Sequence, residues 1–554
     1  MSAKSARSEG ALGGQTANAA TAQPAVHAPD DQPVRPGPVA RFGRAVAAHR
    51  AFTAVLAAAV LLRLVVMLGY PPAMFFNDSY NYMTDALVHA PDTVRSSGYP
   101  LFLFFLLPFH SLNVVTGLQA LMGLALGTGV YALLRRRGLP AWGAIGCALP
   151  VLFDVFELQL EHMIASDVLF YTLLTFAVFL LCWWDRPPLW AAALAGLLTG
   201  YAATVRNVGE VLLAVIIVGM LARRMGWRRI GAAALAGLAP IVAYMIWFNA
   251  SYGQFGMNTA TGTFLYSRVQ TFAECSTMHP PPNLAGLCDP RPQRQRENSE
   301  EYLWANDTPL ARWTGPYNAF RFTPPVEKST MKFAELAIET EPVAYAKTVA
   351  KDVLTTFDWH KVNMNNPLGN VEGDGSKFQF QRTVWPVPTW VTGYVANRHA
   401  AQDFGGANYG QPRVVQPWAG FLWVYQHVYL RGTLLLLFLL AGLAGVVLGL
   451  RRRERGRTGL GGLGLLPWLI GTALIVLPPM TAGFSYRYSL AAVPSLCLAA
   501  GLAFAGRANL VTWLRSRRSA NPGERPPGPP DARPIASDRI GRALAAFRRS
   551  RRSR

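Results

Sequence analysis

The sequence predicts an all-α polytopic membrane protein with about ten transmembrane helices. Charged residues make up 15% of the 554-residue chain, whereas soluble domains average about 25%. A transmembrane helix needs about 20 mostly apolar residues, and stretches of this kind recur along the chain with arginine-rich loops between them. They lie near residues 50–69, 112–134, 140–158, 164–184, 188–205, 208–222, 230–250, 432–450, 463–482 and 488–506.

Arginine clusters between these stretches predict the orientation of the chain. The clusters occupy residues 135–137, 223–229 and 451–457, and all fall on one side of the predicted membrane. By the positive-inside rule this side is cytoplasmic, and an even number of spans places both termini there. The net charge of +21 is therefore expected at the membrane face, and no nucleic-acid partner is predicted. The high content of Ala, Gly and Arg is associated with bacterial sources, which would place the chain in the cytoplasmic (inner) membrane.

The apolar stretches divide the chain into five parts. Residues 1–44 are predicted to be a disordered cytoplasmic N-terminus, and residues 507–554 a basic cytoplasmic tail. Residues 45–250 carry seven spans and the first outer loop, and residues 432–506 carry three spans. Residues 251–431 form an extracytoplasmic insert, which we expect to be mostly helical and irregular.

The insert contains a pair of cysteines and two segments of helical periodicity. Cys275 and Cys288 lie 13 residues apart in a compartment that permits disulfides, and the spacing predicts a disulfide that closes a proline-rich loop. A zinc site is less favoured, because tetrahedral zinc needs four ligands and only His279 is nearby. Residues 329–340 and 342–357 have apolar residues at helical spacing.

The first outer loop carries acidic residues close to the membrane. Asp78 follows the first span among aromatic residues, and Asp85 lies seven residues later, on the same face if the segment is helical. Ionisable groups at membrane depth are costly to desolvate and usually mark a functional site. Asp78 as the cap of a helix that begins at Ser79 is an equally open interpretation.

A second acidic group lies at the ends of later spans. Glu157 and Glu161 share a helix face, His162 follows them, and Asp167 begins the next span. Glu157 and Glu161, with Asp78, offer oxygen ligands for a divalent cation, although a structural hydrogen-bond network is favoured. The chain has no Walker loop and no dinucleotide-binding glycine motif, so a nucleotide-binding domain is not expected.

Several short motifs together resemble the GT-C superfamily of membrane glycosyltransferases, especially bacterial members related to protein O-mannosyltransferases and aminoarabinose transferases. Arg63 lies in the first span, and "FNDSYNYMTDAL" around Asp78 is followed by "SSGYPLFL". "ASDVLFYTLL", "TVRNVG" and "YRYSLAAVPSL" then recur in family order over residues 45–250 and 430–506. The resemblance implies a GT-C fold and assigns the catalytic base to Asp78. The family often has Glu where this chain has Asp167.

The chemistry that the resemblance implies needs a group to hold phosphate. Arg206 and Arg487 lie at the outer ends of spans, and guanidinium groups bind phosphate through paired hydrogen bonds. Tyr486 and Tyr488 flank Arg487 and suit a membrane interface. Interfacial snorkelling, or pairing of these arginines with Glu210 or Glu161, is the alternative interpretation.

The resemblance therefore implies an inverting, polyprenyl-phosphate-sugar-dependent glycosyltransferase that acts on a cell-envelope acceptor. Its expected partners are the sugar donor, a glycan, lipid or protein acceptor, and the lipid bilayer. No cofactor is assigned, and a divalent metal remains open. The rival function is a transporter or lipid flippase, which would favour inverted repeats and paired broken helices. A non-catalytic scaffold for envelope assembly is a third alternative.

Overall fold

A computed structural model describes residues 46–88, 90–296, 298–315, 318–359, 380, 400, 402–405, 413–454 and 461–505. The regular structure in these ranges is helical, with short 3₁₀ turns at Leu107–Phe109, Gln293–Gln295 and Asn318–Phe322. The predicted disordered termini, residues 1–44 and 507–554, lie outside the described residues. The helices are α1 (Arg50–Gly69), α2 (Asn77–Val88), α3 (Gly98–Leu106), α4 (Leu112–Arg136), α5 (Ala141–Phe153), α6 (Val155–Glu161), α7 (Asp167–Trp183), α8 (Leu189–Val205), α9 (Val208–Ala222), α10 (Trp227–Tyr252), α11 (Thr261–Gln270), α12 (Cys275–Met278), α13 (Pro282–Ala285), α14 (Ser299–Trp304), α15 (Pro309–Thr314), α16 (Pro324–Thr340), α17 (Pro342–Thr355), α18 (Trp418–Tyr425), α19 (Gly432–Glu454), α20 (Gly461–Thr481), α21 (Tyr486–Leu490) and α22 (493–505).

Six helical segments in the described part of the chain are long and apolar enough to cross a membrane. They are α1, α4, α10, α19, α20 and the segment Tyr486–Ala505, which joins α21 to α22. The bent pair α5 and α6 adds a seventh if it counts as one span. By length and composition, the chain is thus a multi-pass membrane protein.

All ten apolar stretches of the sequence are helical, but some are shorter than the sequence predicted. Helices α7 and α8 have 17 residues each, fewer than predicted, whereas α9 has the predicted 15. The pair α5 and α6 bends by 52° at Asp154. The Asp154 side chain accepts a hydrogen bond of 2.8 Å from the Phe156 backbone N–H and so starts α6 afresh.

Small residues bring α8 and α10 into close contact. A Cβ atom at Gly196 would overlap the carbonyl of Ala233, and one at Gly200 would overlap that of Gly237. Small residues four apart let the backbones of membrane helices approach closely. This contact places α8, which leads to Arg206, against the helix that leads into the insert.

The arginine-rich loops gather at one end of the helical bundle, here called the basic end. Arg136 donates to the Trp183 carbonyl at 3.1 Å, and Arg229 donates to the Pro187 carbonyl at 2.6 Å. Arg137 pairs with Asp185 at 2.6 Å. The loops after α4, α7 and α9 therefore share one end, as their charge predicted. The side chains of the third cluster lie outside the described residues.

The described part of the insert packs at the opposite end, here called the site end. The Thr259 backbone N–H donates to the Thr93 carbonyl at 2.8 Å, and Ser299 donates to the Ala482 carbonyl at 2.6 Å. The insert is helical and irregular there, as predicted, and has its own core around Tyr266 and Phe333. The predicted disulfide between Cys275 and Cys288 is confirmed.

The two helices predicted near residues 329–340 and 342–357 are also confirmed, as α16 and α17. Helix α16 begins earlier than expected, with Pro324 in its first turn. Proline suits this position because the first backbone N–H groups of a helix have no intrahelical partner.

A buried ion pair ties α1 to α6 within the bundle. Arg63 Nη2 donates to Glu161 Oε1 at 2.6 Å, and both side chains are at most 4% exposed. Gly123 on α4 leaves the space for this pair, since a Cβ atom there would overlap the Glu161 carboxylate. The pairing of Arg487 with Glu161, one of the sequence-based alternatives, is wrong because Arg63 holds that carboxylate.

We expect Gly123→Ala to destabilise the protein. The added methyl group displaces Glu161 from Arg63, and separating a buried ion pair costs about 3–5 kcal/mol. The matched control is Gly146→Ala, in a helix position where a Cβ atom meets nothing within 4 Å. Thermal unfolding in detergent should show a lower melting temperature for Gly123→Ala alone. Equal melting temperatures for the two variants would contradict the role of Gly123.

Candidate functional site

The first outer loop is fixed to the loop between α6 and α7. The Met74 N–H donates to the His162 carbonyl at 2.8 Å, and the Ile164 N–H donates to the Met74 carbonyl at 3.1 Å. His162 Nε2 also lies 2.8 Å from the Tyr70 carbonyl. His162 therefore serves to join the two loops.

The same loops orient α2. Ser79 Oγ donates to the Ile164 carbonyl at 2.7 Å, and Tyr82 and Ser166 are joined through their hydroxyl groups at 3.0 Å. These bonds fix the first turn of α2, where Asp78 lies. The helix begins at Asn77, so the expected start at Ser79 is wrong, and the bonds of the Asp78 carboxylate go to arginines instead of backbone N–H groups.

Five charged side chains form a continuous arginine–aspartate cluster at the site end. Arg95 donates to Asp78 Oδ1 through Nη2 at 2.7 Å and through Nε at 3.1 Å. Arg487 lies 3.5 Å from Asp78 Oδ2 and 3.4 Å from Asp167 Oδ1. Arg206 closes the series on Asp167. Three guanidinium groups face two carboxylates, so the cluster carries one positive charge in excess.

Helix ends supply most of the cluster. Asp78 and Asp167 lie in the first turns of α2 and α7, and Arg487 lies in the first turn of α21. Arg206 lies between α8 and α9. Pairing of Arg206 with Asp167 replaces the alternative pairing with Glu210. The sequence had singled out four of the five members.

Arg95 is the member that sequence reasoning missed. The residues after it fix its position: Ser96 bonds to Asn207, and the Ser97 N–H donates to the Tyr244 hydroxyl at 3.2 Å. Gly98 packs against Thr204, and a Cβ atom there would overlap the Thr204 carbonyl. Its sequence signal was an arginine just before the Ser-Ser-Gly turn, in a loop where arginine is otherwise rare.

Aromatic rings surround the cluster. The Tyr488 ring centre lies 4.8 Å from the Arg206 guanidinium carbon and 5.5 Å from that of Arg487. Trp304, from α14 of the insert, lies 5.8 Å from Arg95. Such rings stabilise cations through their electron-rich faces. Tyr486 instead stacks on Phe156, so the structure separates the two predicted tyrosines.

The charges around Asp78 determine its ionisation. Burial by itself raises the pKa of the Asp78 carboxyl, but Arg95 and Arg487 outweigh it, and the pKa lies below its usual value. Asp78 is therefore ionised at neutral pH. The side chains of Asp78 and its partner Arg95 are each less than a fifth exposed, at 16% and 17%.

The remaining acidic candidates are engaged away from the cluster. Glu161 binds Arg63, and Glu157 accepts a hydrogen bond from Tyr171 at 2.7 Å. Within the described ranges, no group of three or more His, Cys, Asp or Glu side chains is placed to hold a metal ion. Glu157, Glu161 and Asp78 thus do not form the oxygen-ligand set that the sequence left open.

Asp85 is a neighbour of Arg95 with a different charge state. Burial, followed by repulsion from Asp92, raises the pKa of Asp85 to about 8. Among the described residues, its Oδ2 atom is buried without a hydrogen-bond partner. When Asp85 is protonated, it is neutral and does not compete with Asp78 for the Arg95 guanidinium group.

Comparisons of the chain with protein-family models, with curated proteins and with solved structures found no match.

We expect Asp85→Asn to stabilise the protein increasingly as the pH rises. Asp85 ionises near about 4 in the unfolded chain and near 8 in the folded one. Folding between those two pH values therefore takes up a proton. The resulting loss in the free energy of unfolding grows between the two values and is constant above them. The melting temperature of the variant minus that of the wild type should widen from pH 5 to pH 8.

The control for this measurement is Asp307→Asn, which changes an exposed carboxylate of the insert. The melting temperature of this variant minus that of the wild type should not widen from pH 5 to pH 8. A constant difference for Asp85→Asn would show that Asp85 holds no proton in the folded protein.

Proposed function

We propose that the protein is an extracytoplasmic, inverting glycosyltransferase of GT-C type that uses a polyprenyl-phosphate sugar. The observation that carries the proposal is the arginine–aspartate cluster at the site end. It combines an excess of guanidinium groups, which suits a phosphate, with an ionised carboxylate, which suits proton abstraction. Its location at helix ends suits a substrate whose reactive group lies at the membrane surface.

The donor phosphate takes its place between the arginines. Arg487 lies 3.4–3.5 Å from both aspartates, distances that are long for charge-assisted hydrogen bonds. A phosphate offers this guanidinium shorter and paired bonds. Arg95 and Arg206 flank Arg487 through their shared aspartates and add positive charge as the phosphate leaves.

Asp78 then acts as the general base. The acceptor hydroxyl oxygen attacks the anomeric carbon as the bond from that carbon to the phosphate oxygen breaks. The bonding electrons leave with the polyprenyl phosphate, and the hydroxyl proton passes to Asp78. A single displacement of this kind inverts the anomeric configuration. As the phosphate draws Arg487 away, the pKa of Asp78 rises from its depressed resting value and the carboxylate becomes a stronger base.

The proposed topology has ten spans, with the basic end in the cytoplasm and the insert outside. The bent pair α5 and α6 and the short helices α7, α8 and α9 complete the ten spans beside the six longer ones. The positive-inside rule supports this orientation, since the arginine-rich loops after α4 and α9 share the basic end. The membrane is then a bacterial cytoplasmic membrane, with both termini on its inner side.

We expect purified protein to release polyprenyl phosphate from one member of a panel of polyprenyl-phosphate sugars when an envelope acceptor is supplied. Asp78→Asn should lower this turnover by about 10²–10⁴-fold, the usual contribution of a general base. Donor binding should be kept or strengthened, because the variant removes the carboxylate that Arg95 and Arg487 share. Asp185→Asn, at the basic end, is the control and should turn over normally.

Two results would count against this assignment. Transfer at the wild-type rate by a folded Asp78→Asn protein would remove Asp78 as the base. Absence of release with every donor, from a protein that melts cooperatively, would remove the proposed reaction.

We expect lysine in place of Arg95, Arg206 or Arg487 to impair turnover by about tenfold or more. Lysine keeps the charge but cannot reproduce the planar pair of donors, and charge-assisted hydrogen bonds contribute about 1.5–3 kcal/mol. The matched control is Arg137→Lys, which alters an arginine–aspartate pair at the basic end. Normal donor affinity and turnover in all three site variants would show that the cluster does not bind the phosphate.

A further inference from the structure

A hydrocarbon-lined groove lies on the membrane-facing side of α1, α4 and α7. Its volume is about 630 Å³, within the range of about 300–1,000 Å³ that is usual for ligand sites. Leu56, Val60, Ala125 and Phe179 are among its lining residues. The one hydroxyl group in the lining, on Thr128, donates to the Leu124 carbonyl at 2.7 Å. The groove therefore offers a ligand mainly apolar contact.

The groove belongs to the basic end and is separate from the arginine–aspartate cluster. Its residues on α7 run from Phe176 to Trp184, toward the end of that helix opposite Asp167. On α4 they extend to Ala132, just before the arginines that end the helix. A ligand in the groove is thus adjacent to the arginine-rich loops.

Arg136 lies at the mouth of the groove, and its Nη groups are available as hydrogen-bond donors. The Arg136 guanidinium carbon lies 5.0 Å from the ring centre of Trp183, which lines the groove. Arg136 Nε donates to the Trp183 carbonyl at 3.1 Å. In the described part of the chain its Nη groups have no hydrogen-bond or carboxylate partner, whereas the neighbouring Arg137 is paired with Asp185.

We propose that this groove binds one acyl chain of an anionic phospholipid whose phosphate pairs with Arg136. The surrounding span segments place the groove in the bilayer, where such chains are the surrounding solvent. Trp183 suits the boundary between chain and head group. The positive charge of Arg136 favours a head group with net negative charge over a zwitterionic one.

The test is native mass spectrometry of the full-length protein titrated with phosphatidylglycerol or phosphatidylcholine of identical acyl chains. The wild type should bind its first phosphatidylglycerol about tenfold more tightly than phosphatidylcholine. Arg136→Gln should abolish this preference. Ala125→Phe, which fills the groove from an exposed position on α4, should weaken the first binding step for both lipids.

Two control variants match these changes away from the groove. Arg228→Gln removes an arginine that lies 5.6 Å from the Trp227 ring at the same end, and neither residue lines this groove. Leu235→Phe adds an aromatic ring at an exposed apolar position of α10. Both should bind phosphatidylglycerol as the wild type does.

Three outcomes would overturn the proposal. Equal affinity of the wild type for the two lipids would mean that no anionic head group is selected. An equal loss in Arg228→Gln and Arg136→Gln would assign the preference to diffuse charge. Displacement of the first phosphatidylglycerol by a polyprenyl phosphate at lower concentration would assign the groove to an isoprenoid chain.

Discussion

The alternation of positive and negative groups in the arginine–aspartate cluster is the constraint on which the site end depends. Asp167 is only 3% exposed and Arg487 only 9%, so neither charge is fully hydrated. A buried charge without its partner is strongly destabilising, typically by about 3–5 kcal/mol. The series Arg95–Asp78–Arg487–Asp167–Arg206 therefore holds α2, α7, α21 and the start of α9 in one arrangement. Stability and the proposed chemistry require the same contacts.

Backbone hydrogen bonds supply the rigidity that the charges alone lack. The bonds of Met74 with His162 and Ile164 join two loops that are almost ninety positions apart in sequence. Gln119 extends this connection to α4, since its amide donates to the carbonyls of Glu161 and Met163 at 2.9 and 2.8 Å. Asp78 and Asp167 thus belong to one hydrogen-bonded unit, and Arg487 approaches both from the far end of the chain. An arginine between two fixed carboxylates can change partners without a movement of the helices.

The sequence was sufficient for the positions of the apolar helices and for four members of the cluster, because each lies beside an apolar stretch. It was insufficient for their partners. The pairing of Arg206 with Asp167 depends on the packing of α7 against α8, and that of Glu161 with Arg63 depends on the space at Gly123. Arg95 escaped notice because the bonds that place it, through Ser96 and Ser97, reach residues more than a hundred positions away. Helix lengths were overestimated where Asp154 interrupts an apolar stretch that hydropathy treats as continuous.

The arginines that lower the pKa of Asp78 link its role in stability to its proposed role in proton transfer. In the resting protein Arg95 and Arg487 hold the carboxylate ionised, which keeps it available but makes it a weak base. In the proposed reaction, the anionic donor would compete for the guanidinium groups, so the basicity of Asp78 would increase only when the phosphate is in place. Arg95 makes two close bonds to Oδ1, whereas Arg487 makes only long contacts with Oδ2. Oδ2 is therefore the oxygen that would accept the proton in the proposed reaction. Oδ1 is the oxygen that keeps the side chain in position.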